Sequence, residues 1–315
     1  MRDIVSPLSG FGSPFGLRRR DTPALGPAAS GGTETVITQG GKFYRVHTFL
    51  SGGDLTVIQG GEVEYLVVAG GGGVTGRSTT VAGGGAGAGG LLKFVSGETG
   101  NTDTDPLAIS PGLISIVVGD GGTAGSATAF TVGTAATNGQ NSTFSALTAI
   151  GGGFGGAPFE PNLVASVGGS GGGGFSSFDG ADGTAPQGNK GGDGFDATQG
   201  PDRRGGGGGG AAESGANGIA GSPGKGGDGK ESAIDGTAKY YAGGGGGTGG
   251  GLSSSGGLGG GGGNIGGNTA GQSGALNTGG GAGASYNIST GAAGGSGIVI
   301  VRYEITEAEY NEEVA

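Results

Sequence analysis

Glycine in unbroken runs limits what this chain can fold into more than any other feature. Of its 315 residues 91 are Gly, and 59 of those fall in residues 151–297, with runs at 171–174, 205–210, 243–247 and 259–263. Each glycine costs about 0.5–1 kcal/mol relative to Ala inside a helix or strand, so neither element suits such runs. Two states remain. One is a flexible linker; the other is a bundle of extended threefold polyproline-II-type helices packed so closely that only hydrogen fits between them. Aromatic residues decide in favour of the bundle: Phe154, Phe159, Phe175, Phe178, Phe195, Tyr240, Tyr241 and Tyr286 are spaced between the runs, whereas linkers are polar and lack spaced aromatics. Each run then spans about 3.1 Å per residue, and its N–H and C=O groups find partners in neighbouring runs. Collagen is excluded, since only 221–229 hints at a Gly-X-Y period.

The ends of the chain read differently. Leu, Ile, Val and Phe together make up about 19% of the chain, near the level at which disorder becomes the default, but they concentrate outside the glycine-rich middle. Strand patterns run over 35–38, 42–49, 55–58, 63–69, 91–95, 113–118 and 143–150, and Gly-Gly pairs at 40–41, 52–53 and 60–61 mark turns. In 42–49, Phe43, Arg45, His47 and Phe49 share one face and Lys42, Tyr44, Val46 and Thr48 the other, which predicts partial burial of each. The strongest strand signal is 298–305, and it must pair with the N-terminal strands. No segment shows helical periodicity. The predicted fold is mainly β: a small β-sandwich-like domain over 31–150, closed by the strand 298–305, with a polyproline/polyglycine-II helix bundle inserted over 151–297. An extended peptide over 1–30 precedes it, an acidic tail over 306–315 follows, and essentially no α-helix is expected.

Composition narrows the function classes. The net charge of −10 and the absence of any basic, aromatic-interleaved stretch speak against nucleic acid as a partner. There is no Cys and only one His, so thiolate chemistry, sulfur-ligated zinc and a His-based triad have little material. No apolar run is long enough for a signal h-region or a membrane helix. Residues 224–231 approach a phosphate-binding loop, but Glu231 stands where Ser or Thr is needed. Residues 191–196 and 226–230 match a calcium β-roll repeat only in part, without tandem copies. Asp54, Glu62, Glu64 and the loop acids Asp179, Asp182, Asp193, Asp196, Asp202, Asp228 and Asp235 suit turns better than a glycosidase pair. No cofactor, metal or catalytic residue is expected.

Four separated motifs carry a resemblance: 64–73 (EYLVVAGGGG), 83–92 (GGGAGAGGLL), 148–153 (TAIGGG) and 294–303 (GGSGIVIVRY). Together they resemble the glycine-rich domain of phage and cyanophage tail-fibre proteins over roughly residues 45–303. A looser similarity, mainly of composition, is to the polyglycine-helix adhesins at tail-fibre tips, where loops between the helices bind the receptor. The opening segment is similar to short N-terminal segments of phage structural proteins. The resemblance implies a virion location, such as a tail fibre or other surface appendage. It also implies an N-terminal peptide, with Ile4, Val5, Pro7, Leu8, Phe11, Pro14 and Phe15, that docks onto other tail or capsid proteins. Arg18, Arg19 and Arg20 follow it as a solvated or partner-facing linker. Host attachment is implied through loops carrying Phe175, Phe178, Tyr240, Tyr241 and Tyr286, against an outer-membrane protein or a glycan, although the same aromatics also suit gap-filling between glycine helices. A homotrimer is the expected assembly, with a monomeric tip as the other option. The competing readings are a structural head-fibre, decoration or tail-assembly spacer and, more remotely, a polysaccharide depolymerase.

Overall fold

A computed structural model describes residues 26–76, 81–128, 132–158, 164–196 and 202–315. The expected docking residues Ile4, Val5, Pro7, Leu8, Phe11, Pro14 and Phe15 lie outside the described residues, as do Arg18–Arg20 and Phe159.

The elements in chain order are β1 (Ala28–Ser30), β2 (Thr33–Gln39), β3 (Lys42–Phe49), β4 (Gly53–Gln59), β5 (Gly61–Val68), β6 (Leu91–Phe94), β7 (Leu107–Ile109) and β8 (Gly112–Val117). They continue as β9 (Ser126–Ala127), β10 (Val132–Thr134), β11 (Ser142–Phe144), β12 (Leu147–Ala149), β13 (Lys230–Ser232), β14 (Lys239–Tyr241), β15 (Ile298–Ile305) and α1 (Glu307–Val314). A five-stranded sheet runs β1-β4-β8-β11-β12, and a six-stranded sheet runs β2-β3-β15-β5-β6 with β7 paired to β5. The closing strand is therefore central: Ile300 of β15 sits opposite Thr48 of β3 on one side and Leu66 of β5 on the other, both antiparallel.

Alternation along the strands builds the core between the two sheets. Leu55, Val57, Ile116 and Phe144 of the smaller sheet meet Val63, Tyr65, Val67, Val299, Val301 and Tyr303 of the larger. The opposite face of the larger sheet is also apolar. Its Val46, Leu66, Val68, Leu91, Ile298 and Ile300 are covered by Ala211, Ile234, Tyr241 and Ala242 of the glycine-rich region. Burial along 42–49 is partial on both faces, as their mixed composition predicts: Lys42 is exposed, and Phe43, Arg45 and Thr48 are half-buried. Tyr44, Val46, His47 and Phe49 are all buried, because the sheet is a middle layer and not an outer one.

Two expectations are corrected. The strand predicted over 143–150 is a hairpin, β11 and β12, broken at Ser145 with φ +53°. The acidic tail is helical. Thr306 caps α1 by accepting the Glu309 N–H, while the Glu309 carboxylate accepts from the Thr306 N–H at 2.8 Å. Tyr310 then packs on Phe43, ring centroids 4.7 Å apart, and Glu313 bonds Arg45 at 2.7 Å.

The glycine runs form a threefold lattice. Along 205–210, the N–H groups of Gly205 and Gly208 donate to Thr248 and Gly245, those of Gly206 and Gly209 to Gly174 and Gly171, and those of Gly207 and Gly210 to Ala216 and Glu213. The target run changes with every residue and repeats every third, as three residues per turn require. The carbonyls of the same run accept from Gly85 and Ala88, from Gly192, and from Gly224 and Gly227, so six neighbouring segments surround it. The period of three recurs along 243–248, whose N–H groups reach 259 and 262, 227 and 224, and 86 and 83. Runs on either side of residue 150 share the lattice: Gly71 donates to Gly295, Gly72 to Gly87 and Gly87 to Gly153. A Cβ at Gly208 would stand 1.9 Å from the Ala86 carbonyl oxygen, which is why no other residue fits there.

Candidate functional site

The lattice gives the molecule two ends. Its base meets the sheets, where Gly297 leads into β15 and donates to Gly119, and Ala211 donates to Ala242. At the far end the runs turn, and lateral contacts join those turns into one face. Gly194 donates to Phe178, Gly218 to Asp193, Gly205 to Thr248, Tyr286 to Thr269 and Gly267 to Gly251, and Phe195 bridges Arg204. The Arg204 guanidinium lies against Gly250 and the Tyr286 ring against Gly251, both glycines at positive φ. The chain enters at the opposite pole. Gly26 lies beside Glu304 near the end of β15 and accepts from the Gln59 side chain at 3.0 Å.

The five aromatic candidates separate between these ends. Phe175, Phe178 and Tyr286 are at the tip, but Phe175 and Tyr286 are buried, and Phe178 stacks on Phe175 with centroids 4.5 Å apart. Tyr240 and Tyr241 lie at the base, on the β13–β14 hairpin; Tyr241 is buried and Tyr240 is 41% exposed. As solvent-facing contacts, Phe175, Tyr241 and Tyr286 are thus corrected: their rings fill space between glycine helices and against the sheet. Among the described residues, apolar side chains that face solvent at the tip turns include Ile219 at 58% exposed, Leu252 at 37% and Ile265 at 68%. Sequence reasoning missed them because it searched for aromatics. The available signal was an isolated aliphatic residue beside a turn pair, as in Gly250-Gly251-Leu252 and Ile265-Gly266-Gly267.

The acids of the glycine-rich region serve the lattice. Lys190-Gly-Gly-Asp193-Gly and Lys225-Gly-Gly-Asp228-Gly are two copies of one motif, and in each the Lys Nζ bonds the Asp one threefold turn later at 2.9 Å. Asp193 also accepts the Gly180 N–H and Asp228 the Leu258 N–H, each stitching a neighbouring run. The Lys190 hydrogen bond holds the Asp193 carboxyl below its ordinary range. Burial pushes Asp228 upward, but Lys225 and the Leu258 N–H outweigh it and leave that carboxyl lowered. The segment with P-loop character is thereby a packed lattice run, with Gly226 and Gly227 each about 2 Å from a facing carbonyl if given a Cβ. Among the described residues, no three His, Cys, Asp or Glu side chains gather as a metal-binding group.

Two buried cations fasten the base of the lattice to the larger sheet. Lys93 of β6, fully buried, bonds Glu98 at 2.7 Å and the Glu231 carbonyl at 2.6 Å. Glu98 in turn accepts the Ala233 N–H. Arg302 of β15 bonds Glu64 at 2.6 Å, the Gln39 side chain and the Ile234 carbonyl, and its guanidinium lies 4.3 Å from the Tyr44 ring centroid. His47 is equally buried. Its Nδ1 donates to the Gly31 carbonyl at 2.9 Å, Nε2 faces the Tyr303 hydroxyl at 3.3 Å, and that hydroxyl accepts the Ala29 N–H. Desolvation lowers the His47 pKa, although Gly31 and Glu34 oppose the shift.

The lattice and its sheet frame coincide with a known family. Residues 48–304 match the model of the glycine-rich domain. The chain belongs to the glycine-rich domain family. No curated protein matches the chain. The matched span begins within β3 and ends within β15, so this glycine-rich domain comprises the lattice together with the strands that pin both of its ends.

Proposed function

We propose that the chain is a bacteriophage virion fibre or adhesin-like protein with a binding and structural role, attached through residues 1–30 and facing a bacterial surface receptor with the tip of its glycine lattice. The observation that carries this reading is polarity. The N-terminal segment joins the sheets at one pole, beside Glu304, and the lattice turns lie at the other end. A rigid lattice between two such ends holds a contact surface away from its anchorage. The resemblance of the four glycine motifs to phage tail-fibre proteins supports the setting. The tip offers Ile219, Leu252 and Ile265 as apolar contacts among glycine and serine turns, a surface suited to an outer-membrane protein or a glycan.

The test is competition between purified protein and phage for host cells, comparing the natural chain with Ile219→Asp/Leu252→Asp/Ile265→Asp. Point variants are cleaner than deletion of 160–295, because runs 70–76 and 83–90 would lose lattice partners. Loss of blocking in the triple variant, with unchanged melting, is the expected result; full blocking by the triple variant would remove these three residues from the contact, and absence of blocking by the natural chain would remove the receptor role. A spacer without receptor contact is the second reading, favoured by the burial of Phe175, Tyr241 and Tyr286. It requires that neither form block infection.

A further inference from the structure

The tip reading leaves Tyr240 with an exposed ring and no role. Alternation along β14 explains the exposure: Tyr241 turns onto the larger sheet and is buried, and Tyr240 turns outward. The outward ring lines a groove of about 430 Å³, within the range of about 300–1,000 Å³ usual for small-molecule sites. Leu50, just after β3, is its other exposed apolar wall, and Tyr241 and Ile298 supply its buried lining. Polar groups from two loops complete it, each held in place. In the hairpin turn, the Asp235 carboxylate accepts the Thr237 N–H at 3.1 Å and the Lys239 ammonium at 2.5 Å. In the second loop, Asn277 stands at φ +59°; its N–H donates to Ser296 Oγ at 2.9 Å, and that hydroxyl donates to Asn277 Oδ1 at 3.1 Å. The neighbouring Thr278 carbonyl accepts the Ala242 N–H at 2.7 Å, which ties this loop to the end of β14. Among the described residues the Asn277 Nδ2 amide makes no hydrogen bond, so its donors remain for a ligand.

The geometry points to a saccharide site: one pyranose unit of a surface glycan, its C–H face stacked on the Tyr240 ring and its hydroxyls bonded to Asp235, Lys239 and Asn277. A pyranose has an apolar face and a polar rim, and the groove divides the same way, with an aromatic and aliphatic wall beside a carboxylate, an ammonium and an amide. Asp235 and Lys239 offset each other's charge, so the lining selects no ionic ligand. Together they still present an acceptor and a donor side by side, which suits two neighbouring hydroxyls. Because the loops' own hydrogen bonds already fix these groups, little ordering is lost on binding. The exposed walls Tyr240 and Leu50 leave the groove open to solvent, as a sugar within a longer chain requires. This site lies at the base, away from the tip turns, so the inference goes beyond the tip reading and does not rest on it.

Saturation-transfer NMR on the full chain reads this contact, because sugar C–H protons lying on a ring receive magnetisation from it. The probes are the methyl glycosides of glucose, galactose, mannose and N-acetylglucosamine, each at about 10 mM, enough to detect a site of millimolar Kd. N-acetylleucinamide serves as an apolar amide probe beside them. At least one glycoside is expected to show transfer concentrated on the protons of one ring face. Tyr240→Phe keeps the ring and should bind like the natural chain, as should the tip control Ile265→Asp, whereas Tyr240→Ala should bind about tenfold more weakly, equivalent to about 1.4 kcal/mol. Transfer to none of the glycosides overturns the site, and so does binding that Tyr240→Ala leaves unchanged. Binding of N-acetylleucinamide alone would make the groove a peptide site and overturns the saccharide reading. If Tyr240→Ala melts early, the shift of the Tyr240 ring protons in the natural protein, assigned by their loss in Tyr240→Phe, decides: movement on adding glycoside supports the site and no movement overturns it. The assay uses neither cells nor phage, so its failure leaves the tip reading standing, and failed competition for host cells leaves the saccharide site standing.

Discussion

At the residue scale, the molecule depends on hydrogen atoms where other proteins carry side chains. A methyl group at Gly208 would meet the Ala86 oxygen at 1.9 Å, and the lattice runs on both sides would have to part. Gly208→Ala is therefore expected to destabilise by about 3 kcal/mol or more, combining overpacking with lost backbone hydrogen bonds. Gly221→Ala, at φ +81° with open space around it, should cost only the left-handed backbone penalty of about 1 kcal/mol. Chemical denaturation of the two variants checks the difference. His47 gives a pH signature at the same scale. Its folded pKa lies below the ordinary imidazole value of about 6.5, so the stability it contributes is complete above about pH 6.5 and is lost as pH falls through the folded value. His47→Gln should flatten the stability profile below pH 6.5. An unchanged slope would mean that the ring is not held neutral.

At the element scale, the β13–β14 hairpin and the larger sheet are joined through Lys93 and Arg302. Breaking one partner of such a buried pair leaves an uncompensated charge and costs about 3–5 kcal/mol. Glu98→Gln should accordingly destabilise far more than Glu304→Gln, whose exposed pair with Lys42 is worth under about 1 kcal/mol. Thr306→Ala should melt α1 at a cost of about 1 kcal/mol and expose Phe43, read by circular dichroism and by proteolysis behind Ile305. The elements also show what a sequence can reveal. Strands β2 to β6, β8 and β15 were legible because alternation and Gly-Gly turns are local signals. The hairpin break at Ser145 was not, since a non-glycine residue at positive φ leaves no mark in a Thr/Ser/Ala run. The helix had a legible cap, Thr306-Glu-Ala-Glu309, but its weak amphipathicity hid it. Burial of Tyr241 and Tyr286 was illegible for a different reason: which glycine runs become neighbours is a property of the whole lattice, and no single run encodes it.

At the scale of the whole molecule, the sheets and the lattice are one cooperative object. The central strand β15 follows the last lattice run, and β5 leads directly into the first. Strand pairing thus fixes both ends of the glycine-rich chain and reduces the entropy lost on ordering it. Truncation at residue 297 should unfold lattice and sheets together in a single transition. The proposed role needs the same rigidity, because a limp glycine chain could not hold Ile219, Leu252 and Ile265 on a face remote from the N-terminal pole. Amide hydrogen exchange across residues 205–210 and 243–248 is the measurement that tests this most directly. An ordered lattice predicts protection of these glycine amides comparable to that of Val299 and Val301 in β15, with opening only on global unfolding. Exchange at the rate of an unstructured chain, while β15 stays protected, would contradict the lattice and the function built on it.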